Sequence, residues 1–294
     1  MRKLLLNTAL VLLVAASCAR KEEKPLRPSL VVEGWIDSGG HPVVLLSESL
    51  PLRDGAFKRE DVISRVARWA KVSVDDGSGE VILTGRLDQN YFPPYVYTSS
   101  EITGEPGKSY DLKVEYKDYL ATARTTIPEP VPLDDIYLTQ TNDTTWSVNC
   151  VFTDPPQPGQ YYRIFAKKTG TDNRYQPAPL AYASDEGMSG RTEMKLWTVQ
   201  RLLSPMPFPD FHTGDELWIK FCTMERSTYY FWYNYEVSSV TNANGMFWFD
   251  SDMDSGLKGA VGYWAGYGAN EYKIAIGPKK DDGDTDTATD PQQP

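Results

Sequence analysis

The chain has 294 residues, a formal net charge of −10, and 18 Tyr and 8 Trp beside 21 Pro and 22 Gly. The acidic charge and the scattered Lys and Arg residues argue against a nucleic-acid partner, because polyanions are bound by basic patches. The aromatic, Pro and Gly content is typical of an all-β protein with many turns, and the length allows two domains of ordinary size.

The first segment has the pattern of a lipoprotein signal peptide. Arg2 and Lys3 precede an apolar run over 4–16, and small residues then lead to Cys18. The run is shorter than the roughly 20 residues that a transmembrane helix needs. We therefore expect removal of residues 1–17 and a covalent lipid on Cys18. An ordinary signal peptide with a cysteine at this position is the alternative.

The residues after the signal peptide predict a lipidated tether over 18–28. This segment is charged and contains two prolines, and when extended it would span about 30 Å. A membrane anchor followed by a tether of this length indicates a folded body held close to a lipid surface.

Residues 29–130 predict a β-sandwich. The clearest strand signal is 110–116, where apolar and polar residues alternate at every step, and 120–127 follows as its hairpin partner. Further strands are predicted at 30–37, 42–47, 72–74 and 81–83, with a short helix at 59–67. Short strands at this spacing are typical of a β-sandwich.

Three prolines between 128 and 132 predict a domain boundary, because proline fits neither a central strand nor a helix interior. A second β-rich domain is predicted over 131–277. Its strands are expected near 136–139, 146–152, 161–168, 194–199 and 216–222, with an irregular stretch at 170–188. The acidic tail 278–294 has no large apolar residue and is predicted to be disordered.

One helix is predicted in the second domain, with Ser227 as its N-cap. The residues that follow at helical spacing are Tyr229, Trp232, Tyr233, Glu236 and Val240. Aromatic residues also alternate here as they would in a strand. Both faces of such a strand would be aromatic, however, so a helix is preferred. The expected fold class is mainly β, a β-sandwich followed by a second β-rich domain with one helix.

Several stretches of the chain resemble one protein family. The first joins 30–36 to the hairpin region 107–134, and the second joins 152–164 to the strand and aromatic helix after Gly214. They are similar to the Bacteroidota lipoproteins classed as domain of unknown function 4249, over nearly the whole mature chain. The resemblance implies an outer-membrane lipoprotein with an immunoglobulin-like N-terminal domain, commonly encoded beside TonB-dependent receptors. It supplies no agreed catalytic residues.

A second resemblance concerns orientation. Lys21, Glu22 and Glu23 follow Cys18 closely and resemble the Bacteroidota surface-export signal. This similarity implies a lipid-anchored protein that faces the cell exterior, with a periplasm-facing protein as the alternative.

Histidine-based catalysis has little support in the sequence. His41 and His212 are the two histidines, they fall in different predicted domains, and neither has a nucleophile signature nearby. We interpret both as surface residues and expect no catalytic residues and no enzyme activity. Zinc is not indicated either, because His and Cys residues are not clustered.

A calcium site is a weaker hypothesis. Asp250, Asp252 and Asp254 place three carboxylates at alternate positions, as calcium loops do. The following glycine comes one residue late for an EF-hand, and Val261 stands where a bidentate glutamate would be. An acidic surface turn is the alternative interpretation.

The stretch 91–97 is aromatic and contains two prolines, so it does not suit a central strand. Some of its rings are expected on a loop surface, where they could stack on a sugar or contact a protein partner. Tyr91, Phe92 and Tyr95 are therefore candidate partner or ligand contacts, with core packing as the alternative.

Two cysteines remain beside the lipidation site. Cys150 shares the apolar face of its strand, whereas Cys222 lies opposite Ile219 and Phe221. This phase argues against a disulfide, although an oxidising envelope would permit one.

The leading hypothesis is a surface-exposed outer-membrane lipoprotein that serves as a non-enzymatic accessory or binding subunit of a TonB-dependent nutrient-uptake system. A structural or assembly component of the outer membrane is the first alternative, and a glycan-active hydrolase is the second. Such a hydrolase would need two carboxylates about 5 to 10 Å apart across a cleft.

Overall fold

The computed structural model describes residues 28–50, 58–186, 190–196, 211–241 and 255–278. Within these described residues, the first part of the chain forms eight strands and a short helix, α1 (Arg59–Ile63), between the second and third strands. The strands are β1 (Leu30–Asp37), β2 (Val43–Glu48), β3 (Lys71–Asp75), β4 (Glu80–Ile82), β5 (Thr84–Leu87), β6 (Tyr95–Thr98), β7 (Ser109–Tyr116) and β8 (Tyr119–Thr126).

Where the structure describes it, the second part forms eight further strands and the long helix α2 (Arg226–Thr241). These strands are β9 (Asp135–Asn142), β10 (Thr145–Asp154), β11 (Tyr161–Lys168), β12 (Gln176–Ser184), β13 (Gly190–Leu196), β14 (Phe211–His212), β15 (Glu216–Met224) and β16 (Val261–Ala275). The prediction of a mainly β protein with a helix after residue 225 is confirmed. Ser227 lies within the first turn of this helix rather than at its N-cap.

The strands form three sheets. The largest has eight strands in the order β12-β11-β15-β16-β1-β2-β6-β5. A four-stranded sheet, β4-β3-β7-β8, packs against the half of it that contains β1, β2 and β6. A third sheet of β13, β10, β14 and β9 packs against the half that contains β11 and β15. The result is two sandwiches that share one continuous sheet.

The first sandwich follows from strict alternation in the β7–β8 hairpin. Leu112 and Val114 of β7 and Ala121 and Ala123 of β8 point to one face, and the residues between them are polar. The inward side chains meet those of β1 and β2 in an apolar core. We call this cluster the first core.

The strand β16 joins the two sandwiches. Its first half pairs in parallel with β1, from Val261 opposite Val31 to Tyr267 opposite Asp37. Its second half pairs antiparallel with β15. The chain therefore returns from the predicted second domain into the sheet of the first, and it brings Trp264 into the first core.

Glycine makes the close approach between β16 and β1 feasible. Gly262 has a φ of +118°, and a Cβ there would lie 1.9 Å from the carbonyl oxygen of Val32. A side chain at this position would push the two strands apart.

Two sequence expectations were wrong. The stretch 170–188, expected to be irregular, contains β12 at the edge of the large sheet. The stretch 91–97 does enter a sheet interior, because β6 lies between β2 and β5. Pro93 and Pro94 do not interrupt this strand, since they precede its first residue, Tyr95.

Cys150 and Cys222 are free and buried. Cys150 belongs to the core between the sheets of the second sandwich, which also contains Ile219 and Phe221. Cys222 lies on the other face of the large sheet. The strand phase read from the sequence is thus the observed one, and it keeps the two thiols in separate clusters.

Candidate functional site

Helix α2 covers the outer face of the large sheet with aromatic side chains. We call this cluster the aromatic layer. Its buried members come from β11, β15, β16 and α2 and are Tyr161, Phe165, Cys222, Met224, Phe231, Trp232, Tyr263, Ala265 and Tyr267. The indole N–H of Trp232 donates to the hydroxyl of Tyr267 over 2.8 Å, which fixes the helix against β16.

Arg163 is a fully buried charge within the aromatic layer. Its Nη2 donates to Oε1 of Glu236 on α2, and its guanidinium carbon lies 4.6 Å from the Trp232 ring centroid. Glu236 uses its other oxygen to accept the backbone N–H of Leu180 over 3.0 Å. A buried charge needs such a partner, because desolvation is otherwise costly. The pair therefore ties α2 to both β11 and β12.

A second buried cation joins the two sandwiches. Nζ of Lys220 on β15 lies 2.8 Å from Oδ2 of Asp37 at the end of β1. Burial is the largest single influence on the pKa of Lys220 and lowers it, but the charge and hydrogen bond of Asp37, together with the neighbouring Cys222 and Glu271, make the net shift upward. Lys220 therefore stays charged, and it acts as a cross-link between strands from the two parts of the chain.

Two further contacts cross between the parts. Arg174 lies 3.2 Å from Glu33 of β1. Glu225, which precedes α2, accepts the hydroxyl of Thr125 over 2.9 Å and the backbone N–H of Thr126 over 3.0 Å. The aromatic layer and its ion pairs are thus suited to fixing the body as one unit.

An open groove of about 540 Å³ lies on the outer face of β3, β7 and β8. It is lined by Ser73, Asp75, Glu80, Asp111, Leu112, Lys113, Thr122, Ala123, Arg124, Gly256 and Lys258. Asp111 pairs with Arg124 at 2.9 Å. The hydroxyl of Ser73, followed by the charge of Lys71, lowers the pKa of Glu80. The general acid of a glycoside hydrolase needs a raised pKa, so Glu80 does not suit that role.

The candidate contacts Tyr91, Phe92 and Tyr95 are all partly buried. The Tyr91 ring lies 6.1 Å from that of Trp35, and the Phe92 ring lies 4.2 Å from the guanidinium carbon of Arg59. Tyr95 packs against the first core. The structure does not gather the three rings into one exposed patch, and their role as partner contacts stays a prediction.

The sequence did not predict the most exposed large apolar side chain among the described residues. It is Trp69, which is 91% exposed in the loop before β3. The other exposed large apolar residues are Ile82, Leu87, Leu120, Tyr137, Leu180, Tyr233 and Val237. No periodicity marks Trp69, because it lies in a loop between a helix and a strand.

The remaining predicted sites lie outside the described residues. They are the signal peptide 1–17, the lipidation site Cys18, the export signal Lys21, Glu22 and Glu23, the calcium candidates Asp250, Asp252 and Asp254, and the tail from 279 onward. These sites stay predictions.

Both histidines are exposed, as expected. In the part of the chain that the structure describes, no three His, Cys, Asp or Glu side chains are grouped so that they could hold a metal ion. Within the same residues, none of the helices has the length and apolar character to span a membrane.

Comparison with known proteins gives a family and distant structural likenesses. The family described as "Domain of unknown function (DUF4249)" matches residues 21–273. Among curated proteins, none is similar enough to count as a relative. A two-domain fibronectin type III segment from chicken tenascin is 11% identical, with 67% of this chain and 90% of that chain covered and a TM-score of 0.21. A cytokine receptor complex is 10% identical, with 68% and 86% covered and a TM-score of 0.22. At these scores the likeness carries no argument about function.

Proposed function

The chain belongs to the DUF4249 family, and from this premise we propose that it is a surface-exposed outer-membrane lipoprotein. In this proposal it acts as a non-enzymatic accessory or binding subunit of a TonB-dependent nutrient-uptake system. The observation that carries the proposal is the position of Cys18. It follows a lipoprotein signal pattern, and the family region starts at residue 21, directly behind it.

The build of the folded body supports a binding role. Ion pairs and the strand β16 join the two sandwiches, so a partner would meet one body with a fixed surface. The buried cations Arg163 and Lys220 each have an acidic partner inside that body. They are therefore used for the fold, and a partner would be recognised by other side chains on the outer surface. A rigid surface loses little conformational entropy on binding.

Phe92 is the best of the three predicted contacts for a test of receptor binding. Its ring is partly exposed and stacks with Arg59, an arrangement common at protein interfaces. Tyr95 is unsuitable, because its ring packs against the first core and its hydroxyl donates to the carbonyl of Arg68 over 3.1 Å. Its removal would weaken the fold itself.

The decisive experiment is purification of the full-length protein from membranes in mild detergent. We expect Cys18→Ala to abolish lipid labelling and membrane retention, because two or more acyl chains are needed for stable anchoring. We expect a TonB-dependent receptor to co-purify with the wild-type protein, and Phe92→Ala to reduce its recovery. Tyr137→Ala, which removes another exposed ring in the third sheet, is the matched control.

Three outcomes would count against this proposal. Normal membrane retention of Cys18→Ala would contradict the anchor. Absence of any receptor, together with normal growth of a deletion strain on every nutrient tested, would favour a structural or assembly role. Glycan cleavage by the purified protein would favour the hydrolase alternative.

A further inference from the structure

The chain enters the first sandwich at the end that carries the tip of the β7–β8 hairpin. The hydroxyl of Tyr119 donates to the carbonyl of Pro28, the first described residue. Beside it, the ammonium of Lys117 in the hairpin turn pairs with Glu48 at the end of β2. We call this part of the surface the Pro28 end.

Trp69 lies at the same end. The loop that carries it runs along the last residues of β2, where Val66 forms a bridge with Ser47. The loop then enters β3 at Lys71, which is paired with Glu115 next to the hairpin tip. Trp69 is two residues before this pair, so its backbone lies near the Pro28 end, and its side chain is 91% exposed.

The backbone around Trp69 is held firmly. Ala67 is fully buried, and its carbonyl accepts the hydroxyl of Tyr97 over 2.5 Å. The backbone N–H of Ala70 donates to that same hydroxyl over 3.0 Å. The carbonyl of Arg68 accepts the hydroxyl of Tyr95. The fold thus presents the indole to solvent from a fixed support, rather than on a loose loop.

Two more exposed apolar side chains lie at the Pro28 end. Leu87, 66% exposed, is paired with Tyr95, which in turn reaches the Trp69 loop. Leu120, 57% exposed, follows the hairpin turn opposite Glu115. Isolated exposed apolar residues are common on proteins, but this end carries three large ones, Leu87 and Leu120 at its two edges and Trp69 in the loop that crosses between the sheets.

The charges at this end are mixed. Lys71 and Lys117 have acidic partners, and Asp118 in the hairpin turn is exposed. Arg68 is exposed beside Trp69 and makes no ion pair with a described residue. An apolar contact supported by one cation therefore fits this end better than attraction to a strongly charged surface.

The position of the lipid anchor indicates which surface these exposed apolar side chains contact. Ten residues lead from Cys18 to Pro28, and a chain of that length spans at most about 36 Å. A lipid on Cys18 would hold the Pro28 end within that distance of the bilayer. Trp prefers the boundary between headgroups and acyl chains, because its ring is apolar and its N–H is polar.

We propose that Trp69, with Leu87 and Leu120 at the same end of the sandwich, docks the first sandwich onto the lipid surface to which Cys18 is anchored. This inference rests on the proposed outer-membrane lipoprotein function. Docking at this end directs the second sandwich away from the membrane, and it converts a tethered body into one with a fixed orientation.

The test uses full-length protein purified from membranes and reconstituted into vesicles of phosphatidylcholine and phosphatidylglycerol. Brominated acyl chains quench nearby tryptophan at short range. We expect quenching of the wild-type emission, and a roughly threefold smaller quenched component in Trp69→Phe, because Phe preserves the apolar contact but gives no indole signal. Trp218→Phe, in β15 of the second sandwich, is the matched control and should leave the quenching unchanged.

Lipid labelling of Cys18 in the same preparation separates this inference from the proposed function. Lipidated, vesicle-bound protein with no Trp69 quenching would overturn the docking proposal and leave the anchor intact. Purified protein that carries no lipid on Cys18 would contradict the proposed function. The docking proposal could still be tested with that protein, by adding vesicles and measuring whether their brominated chains quench Trp69. Unquenched Trp69 combined with lost receptor recovery in Trp69→Ala would assign these side chains to a protein partner instead. An unchanged thermal midpoint for both Phe variants checks the fold.

Discussion

The first core and the aromatic layer are held together by different kinds of interaction. The first core is built from aliphatic and aromatic side chains on alternating strand positions, and among the described residues no buried charged side chain comes from β1–β8. The aromatic layer lies on the other face of the same large sheet, but it surrounds two buried cations, Arg163 and Lys220. The stability of the first core depends on the apolar area removed from water. The stability of the aromatic layer also depends on a few ion pairs with defined geometry.

The largest expected effect comes from breaking the Arg163–Glu236 pair. Arg163→Met leaves the carboxylate of Glu236 buried without its cation, which should lower the free energy of unfolding by about 3 to 5 kcal/mol. Urea denaturation measures the change. The double variant Arg163→Met with Glu236→Leu should recover much of the loss. A single variant as stable as the wild type would show that the layer depends on apolar area alone.

A cavity in the first core should have the next largest effect. Leu112 is buried in β7, and Leu112→Ala should cost about 3 kcal/mol through lost burial and an unfilled cavity. Leu120→Ala in the neighbouring strand removes the same atoms from an exposed position and should change stability by less than about 0.5 kcal/mol. Chemical denaturation of both variants compares them. Equal effects would contradict the description of the first core as the apolar centre of its sandwich.

The junction between the regions can be tested at Gly262. Gly262→Ala should destabilise the protein by about 2 kcal/mol or more, because alanine is strained at this positive φ and its Cβ would meet the Val32 carbonyl. Gly39→Ala is the control, since Gly39 also has a positive φ but has nothing within 4 Å of an added Cβ. Its cost should be nearer 1 kcal/mol. Thermal unfolding of the two variants separates backbone strain from the clash between β16 and β1.

A surface ion pair should show the smallest effect. Lys108 lies 2.6 Å from Asp76, and its hydrogen bond, with those of Ser78, holds the pKa of Asp76 well below its usual range. A carboxyl with a lowered folded-state pKa stabilises the protein above its unfolded pKa, and this stabilisation is lost as the pH falls below about 4. Asp76→Asn should therefore cost less than about 1 kcal/mol at neutral pH, since the pair is near the surface. The difference from wild type should shrink on titration to about pH 2. If the difference in stability between Asp76→Asn and wild type stayed the same from neutral pH to about pH 2, the lowered pKa of Asp76 would not contribute to stability.

Local patterns in the sequence predicted much of the first sandwich and parts of the second. The β7–β8 hairpin was found because its alternation has a period of two. The strand β11 was predicted with its observed limits. Helix α2 was found from the spacing of Tyr229, Trp232 and Glu236. The signals for these elements are local, because each lies within a single short stretch of the sequence.

The elements that were missed lack such a local signal. In β16 a run from Gly262 to Gly268 is buried on both faces, so its hydrophobicity does not alternate, and its partner β1 lies at the other end of the chain. Arg163 sits in a strand pattern that is otherwise apolar, and nothing local shows that Glu236 on a distant helix will pair with it. Trp69 was missed because loop exposure depends on tertiary contacts such as those of Tyr97.

The parallel pairing of β1 with β16 also has a kinetic consequence. Glu33 and Tyr263, which face each other in this pairing, are separated by 230 positions in the chain. The two strands therefore cannot pair until almost the entire chain is available for folding. Contacts of such long sequence separation slow folding, and until they form, one edge of β1 has unpaired backbone groups that can associate with other chains.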